Sequence, residues 1–248
     1  MAHLATLVAQ QLSRSQTQIQ SKVLTQFETS SAGSDRAHPS LVADLPADIP
    51  MVETAVLELS LPLHQQIRQF AELALAAGYH RVQIVPLFLL PGVHVMTDIP
   101  AEVAIAQQIL GSDLTLEVRP YLGSHPQLPA LFAGSGAVSL PVGRILLSHG
   151  SRRVGGNQPV EAIATQLKAL PAYWSGSPCL EDQVGHLVKQ GKQQIVILTY
   201  FLFEGVITDA IAQTVSELKH RFAKVHLHLA SPLGVTLELA QIVVGLTR

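Results

Sequence analysis

Two histidines in this sequence stand where a side chain could do chemistry. His94 lies in the run PLFLLPGVHVMTDIPAE (86–102), in a loop that follows a near-continuous apolar stretch, with Asp98 and Glu102 just downstream. Glu58 ends the preceding expected strand, within VETAVLELSLPL (52–63). An imidazole binds borderline divalent cations such as Co²⁺, Fe²⁺, Ni²⁺ and Zn²⁺ and accepts protons near neutral pH. A carboxylate beside it supports both tasks. The second histidine, His149, follows the apolar part of RILLSHGSRRVGGN (144–157). The glycines of that run let backbone N–H groups approach an anion, and the helix expected after it presents the positive end of its dipole. Ser151, Arg152 and Arg153 add donors for carboxylates or phosphates. GSRRVGG fits neither G-x-G-x-x-G nor G-x-x-x-x-G-K-[ST], which excludes the common nucleotide fingerprints.

Each of these has a plainer reading. A lone loop histidine more often caps a helix or bonds a carbonyl, and a strand-to-helix turn often carries solvated arginines. His226 and His228 alternate on one strand and share a face, but two histidines without a third ligand are ordinary exposed strand residues. His64, His80, His125 and His220 read as solvated, and Tyr173, Trp174 and Phe201 as core or cleft wall.

The elements that must hold these residues follow from the apolar pattern. Leu4 to Leu12 has helical spacing, Glu28 to Pro50 reads as a long mobile loop, and Val52 to Leu59 as a strand. Leu63 to Ala77 is an amphipathic helix stopped by Gly78. Val82 to Leu90 reads as a strand buried on both faces, Ala101 to Leu110 as a helix and Leu114 to Pro120 as a strand. After a linker, Pro126 to Gly143, the cycle repeats: strand Arg144 to Ser148, helices Pro159 to Leu170 and Leu180 to Gln190, strand Ile195 to Phe203, helix Asp209 to Phe222, strand Val225 to Pro232. Strands alternating with helices imply βαβ units and parallel sheets. The expected organisation is a first lobe over 1–125 and a second over 144–248.

The two cycles superpose by counting. Gly78 and Gly191 lie 113 residues apart, as do Gly92 and Gly205, which pairs VQIVPLFLLPG with IVILTYFLFEG. Further on, PYLG and SPLG pair at 111, as Gly123 and Gly234. This is an internal duplication. The two-residue difference falls where Gly-Val-His-Val-Met-Thr-Asp (92–98) faces Gly-Val-Ile-Thr-Asp (205–209), so the first copy has a histidine that the second lacks. The reverse holds at each copy's first strand: the strand and His-Gly-Ser turn of the second copy have no counterpart in the first. Two such lobes would enclose a cleft beyond the carboxyl ends of their strands.

Composition sets the outer bounds. Among 248 residues, 48% are apolar and 14% charged, a balance that favours a compact α/β protein over a disordered one. With 16 basic against 18 acidic residues there is no nucleic-acid footprint and no membrane-surface patch. The single cysteine, Cys179, fits a reducing compartment, so the cytoplasm is the expected location, and no secretory signal is legible at the N-terminus.

The segments PLFLLPGVHVMTDIPAE, VETAVLELSLPL, ILLSHGSRR and GNQPVEAIA together resemble the sirohydrochlorin chelatases, in their long two-repeat form. The resemblance covers nearly the whole chain from Leu4 onward. It implies insertion of Co²⁺ or Fe²⁺ into sirohydrochlorin for cobalamin or sirohaem synthesis, with no organic cofactor. It also implies two duplicated lobes, each a four-stranded parallel sheet flanked by helices, with the tetrapyrrole between them. A monomer suffices for such a cleft. In the long forms the metal site of the N-terminal lobe is built from the histidine of a His-Gly-Ser turn, the histidine of Gly-x-His and a glutamate after the second strand. Two of these carry over, as His94 and Glu58. The first histidine has no counterpart here, and His149 matches the same turn in the other lobe. A parallel lobe without a central strand leaves strand edges unpaired, a cost few domains retain, so an upstream extension of the reading frame is expected. The alternative is a variant that binds tetrapyrrole or metal without efficient insertion.

Overall fold

The structure, a computed structural model, describes residues 3–13, 50–57, 61–133 and 142–248. The chain divides into two compact units, Met1–Thr54 and Ala55–Arg248. In the first, residues 3–13 form helix α1, with Leu4 and Val8 buried as their spacing predicts. Apart from Pro50, the loop expected over 28–50 lies outside the described residues.

The second unit carries most of the first copy of the repeat and all of the second. In the first copy, α2 (Leu63–Ala76) buries Leu63, Ile67, Ala71 and Ala74, one stripe of the helix, and ends at Gly78 with φ +86°. It packs on α3 (Ile99–Leu110), and the two helices cover one face of a parallel pair, β1 (Arg81–Ile84) with β2 (Thr115–Val118). Val82, Ile84 and Leu116 point into this core. The other face is polar: Gln83 Nε2 donates to Glu117 at 3.3 Å, and Arg119 bonds the same carboxylate at 2.7 Å. The strand read over Val82 to Leu90 is therefore short and, among the described residues, has its apolar cover on one face. Pro86, with no N–H to give a ladder, marks where pairing stops.

The second copy is a four-stranded parallel sheet in the order β4-β3-β5-β6, made of β3 (Gly143–Ser148), β4 (Leu170–Tyr173), β5 (Gln194–Thr199) and β6 (His226–Leu229). Ile145, Leu147, Ile195 and Ile197 pack against α6 (Leu180–Lys189) and α7 (Val206–Arg221) through Val184, Leu187, Ile211 and Val215. The alternate residues Leu146 and Leu198 are buried too, and α5 (Gln158–Gln166) lies against β3 and β4, so this sheet is apolar on both faces.

The second copy has the expected four-stranded sheet, and in the first copy, expected to lack its first strand, the described residues give two strands. In the second copy β4 joins its sheet only through β3. Among the described residues nothing equivalent to β3 stands beside β1, so residues 52–57 of the segment expected as a strand have no ladder to enter, and 58 and 59 lie outside the described residues. Residues 50–57 contain no strand. Instead the Gln66 side chain takes both backbone groups of Val56, accepting from its N–H at 3.0 Å and donating to its carbonyl at 2.7 Å.

The linker expected over 126–143 contains a helix, α4 (Leu128–Ala133), whose Leu128 and Phe132 are buried. It rests against α8 (Leu237–Gly245), a helix the sequence reading did not anticipate. Further bonds join the copies. Arg119 Nε donates to the Leu246 carbonyl at 2.8 Å, and the Tyr200 hydroxyl donates to the Leu89 carbonyl at 3.3 Å.

Candidate functional site

The loop that carries His94 is fixed before it reaches the histidine. Leu122 N–H donates to Pro86 and Gly123 N–H to Phe88, both at 2.9 Å, so the chain leaving β1 is strapped to the chain leaving β2. Gly123 is required there, because a Cβ would overlap the Leu89 carbonyl. After Gly92 and Val93 the chain makes a single wide π turn, His94–Asp98, before α3 begins. The Ile99 N–H reaches back to the His94 carbonyl, and Pro100, which has no N–H, cannot extend that five-residue pattern. Val95 is buried and anchors the turn, while His94 stays half exposed beside it.

His94 Nδ1 lies 2.8 Å from Asp98 Oδ2. An ionised carboxylate only accepts, so the ring donates from Nδ1. A carboxylate behind a histidine in this way sets the tautomer and orients the ring for a metal. The Phe88 ring stands 5.9 Å from the imidazole, tilted by 41°, and forms its apolar side. One helical turn beyond Asp98, Glu102 accepts from the His64 N–H and pairs with His64 Nδ1, both at 2.8 Å. That hydrogen bond from the His64 backbone, and then the one from its ring, hold the Glu102 carboxyl below its ordinary value. The expectation that His64 is solvated is corrected: α2 has no side-chain cap of its own and no acid in its first turn, and Glu102 supplies the acceptor.

The second turn is equally well defined. β3 ends at Ser148, and exposed His149 follows, its carbonyl accepting from Ser175 N–H at 2.9 Å. Gly150 and Gly155 have φ of +86° and +74°, which favour glycine. Ser151 N–H donates to Asn157 Oδ1 at 2.8 Å, and Ser151 Oγ accepts from Arg153 N–H at 3.2 Å. Arg152 and Arg153 project from this closed loop into solvent. Beside it, burial and the neighbouring Glu161 push the Tyr173 hydroxyl up to about 12.

His94 and Asp98 are thus brought together. Glu58 lies outside the described residues, and among the described residues no three His, Cys, Asp or Glu side chains converge as a metal cluster. What sequence reading missed is the part played by Asp98. Its signal was the four-residue spacing from His94, which puts the two on one face of a helical turn.

A protein-family model described as CbiX matches residues 36–135 and again residues 143–247, one match for each copy of the repeat. The chain belongs to the CbiX family. Among relatives of this CbiX chain is the sirohydrochlorin cobaltochelatase of Priestia megaterium, 27% identical over 219 residues, covering 82% of this chain and 70% of the relative. The sirohydrochlorin ferrochelatase of the same organism is 25% identical over 183 residues, covering 69% and 68%. The fold is that of SirB from Bacillus subtilis, solved with Fe³⁺: the TM-score is 0.67 at 20% identity, over 81% of this chain and 82% of that one. SirB of subspecies spizizenii, solved with cobalt, gives a TM-score of 0.58 at 21% identity, over 77% and 76%. Among the described residues no helix is long and apolar enough to cross a membrane.

Proposed function

We propose that this CbiX-family chain inserts a divalent metal, Co²⁺ or Fe²⁺, into sirohydrochlorin, as a lyase-class step of cobalamin or sirohaem synthesis. The observation that carries the reading is the His94–Asp98 pair, held on a turn beyond the carboxyl end of β1 in a chain whose relatives are named as sirohydrochlorin chelatases. Insertion requires that the incoming ion lose part of its water and that two pyrrole N–H protons leave the macrocycle. His94 Nε2 is the first protein ligand for the ion and a nearby acceptor for those protons, with Asp98 fixing its tautomer. Glu58 assists as a second oxygen ligand. His149 lines the cleft from the second copy, and Ser151, Arg152 and Arg153 receive carboxylates of the substrate. Imidazole and carboxylate accept cobalt and iron alike, so availability sets the metal.

The test is the absorbance change of sirohydrochlorin on mixing with the purified chain and Co²⁺ or Fe²⁺, with and without His94→Ala. Turnover that His94→Ala removes supports the reading. Stoichiometric binding without turnover makes the chain a carrier instead, and turnover that survives in His94→Ala removes His94 from the site.

A further inference from the structure

Alternating histidines on a strand are ordinary exposed residues on pattern alone, but the structure gives His226 and His228 three further properties. They share one face of β6, because Leu227 and Leu229 turn the other way, into the core against α6 and α7. Both are exposed, and among the described residues neither ring has a hydrogen-bond, ion-pair or ring partner. The strand that carries them is also held at both ends. His226 N–H donates to the Gln193 carbonyl at 2.8 Å, and Ala230 N–H to the Ile197 carbonyl at 2.9 Å.

The first copy shows the same position with its side chain satisfied. Strand registers match between the copies: Ile84 pairs with Val118 as Ile197 pairs with Leu229, so His228 takes the place of Glu117. Glu117 is occupied, by Arg119 at 2.7 Å and by Gln83 at 3.3 Å. The residues that replace those two in the second copy are Ala230 and Val196, whose side chains have no polar atom to offer. His228 is left free for a ligand from outside, and His226 stands beside it in the same condition.

Residues two apart on a strand are separated by about 6.6 Å. Two imidazoles leaning together across that gap bring their nitrogens within the roughly 2 Å bonding distance of one ion. A strand pinned at both ends keeps the two rings on one side, so little backbone freedom is lost when they close on a ligand. Among the described residues no third His, Cys, Asp or Glu side chain joins the pair, so the protein supplies two nitrogens and water the rest. Imidazole affinity rises from Fe²⁺ through Co²⁺ and Ni²⁺ to Cu²⁺ and falls again at Zn²⁺. A site with only two nitrogen ligands therefore holds Cu²⁺ at concentrations that leave Co²⁺ and Fe²⁺ in water.

We propose that His226 and His228 form a two-imidazole chelate that binds Cu²⁺ on the exposed face of β6. The site is separate from the His94 turn in place and in metal, and it stands whether or not the chain inserts metal into a tetrapyrrole.

The probe is Cu²⁺ itself, titrated into the full chain carrying His3→Gln and His94→Ala, so that the N-terminal histidine and the histidine of the proposed insertion turn contribute nothing. Calorimetry reads the affinity and electron paramagnetic resonance the donor atoms. The chelate predicts one Cu²⁺ per chain with two imidazole nitrogens in its hyperfine pattern. His226→Gln and His228→Gln should each weaken this binding on the order of 10²-fold, since the second ligand of a chelate acts at high effective concentration. Gln194→His, which adds an imidazole in register with His226, should tighten it. Both histidines are exposed, so the glutamine variants keep the fold, which circular dichroism checks. Unchanged Cu²⁺ affinity in either glutamine variant overturns the proposal, as does a two-nitrogen signal that persists when both histidines are replaced. Co²⁺ binding as tight as Cu²⁺ binding overturns the choice of metal.

Discussion

The turns after β1 and after β5 stand at the same point of the repeat and differ by two residues. Aligned on Gly92–Val93 with Gly205–Val206 and on Thr97–Asp98 with Thr208–Asp209, the extra residues of the first are His94 and Val95. In the second copy the helix starts at once, with Thr208 capping Gly205. In the first, the same span has to absorb two more residues, and it does so as a π turn. One of them, Val95, turns inward and anchors the turn; the other, His94, turns outward onto the aspartate that both copies possess. The two copies therefore share the scaffold and the aspartate, and the two-residue difference between them carries the proposed ligand.

The most drastic way to break this comparison is to delete His94 and Val95, making the first turn the length of the second. Co²⁺ binding measured by calorimetric titration should be abolished. The fold should survive at a cost of about 1–3 kcal/mol for the lost burial of Val95. Retained Co²⁺ binding in the deletion would place the metal site elsewhere.

Next in size is the contrast between the two sheets. Leu147→Ala, in the sheet that is apolar on both faces, should cost about 2–5 kcal/mol of unfolding free energy. Gln83→Ala, on the polar face of the two-stranded sheet, should cost under about 1 kcal/mol. Denaturant unfolding monitored by circular dichroism separates them, and equal costs would mean that the first sheet has a second apolar cover.

Asp98→Asn and Asp209→Asn test whether the shared aspartate has taken on a role in one copy only. The first should weaken metal affinity by roughly 10- to 100-fold, through the ring orientation and tautomer of His94. The second should leave it unchanged and cost only a few tenths of a kcal/mol at the start of α7.

The smallest effect concerns pH. Glu102 has its carboxyl held low by His64, so its contribution is present above the ordinary carboxylate range near 4.5 and fades as pH falls through the depressed folded value. Glu102→Gln should be less stable than the intact chain at pH 7, and the gap should narrow below about pH 4. A gap in the denaturation midpoint that stays constant on acidification would show that Glu102 acts only through packing.

Much of this was legible before any fold was known, and the misses share a cause. Helices with a clear apolar stripe, such as α2 and α6, fell where their spacing put them. β4 did not, because LPAY is four residues long and contains Pro171, which an edge strand tolerates and a pattern reading penalises. Residues 52–57 failed in the opposite sense: they have the composition of a strand, but pairing is a property of two segments. α4 was hidden in a stretch that reads as linker by its prolines and glycines. At the site, His94 stood out by type and position, and Asp98 was visible as a neighbour. That the two touch depends on the segment being helical, as residues four apart then share a face.

The sequence by itself determined the duplication, the parallel α/β class, the family and the placing of one histidine in the longer of two equivalent turns, since each is written in local periodicity or in the spacing between repeats. Tertiary structure alone decided which segments become strands and how the two copies meet. Those outcomes rest on hydrogen bonds whose partners lie far apart in the chain. Tyr200 and Leu89 are 111 residues apart, and Arg119 and Leu246 are 127. A donor finds an acceptor at that separation only once the packing of both halves has brought them within 3 Å or so.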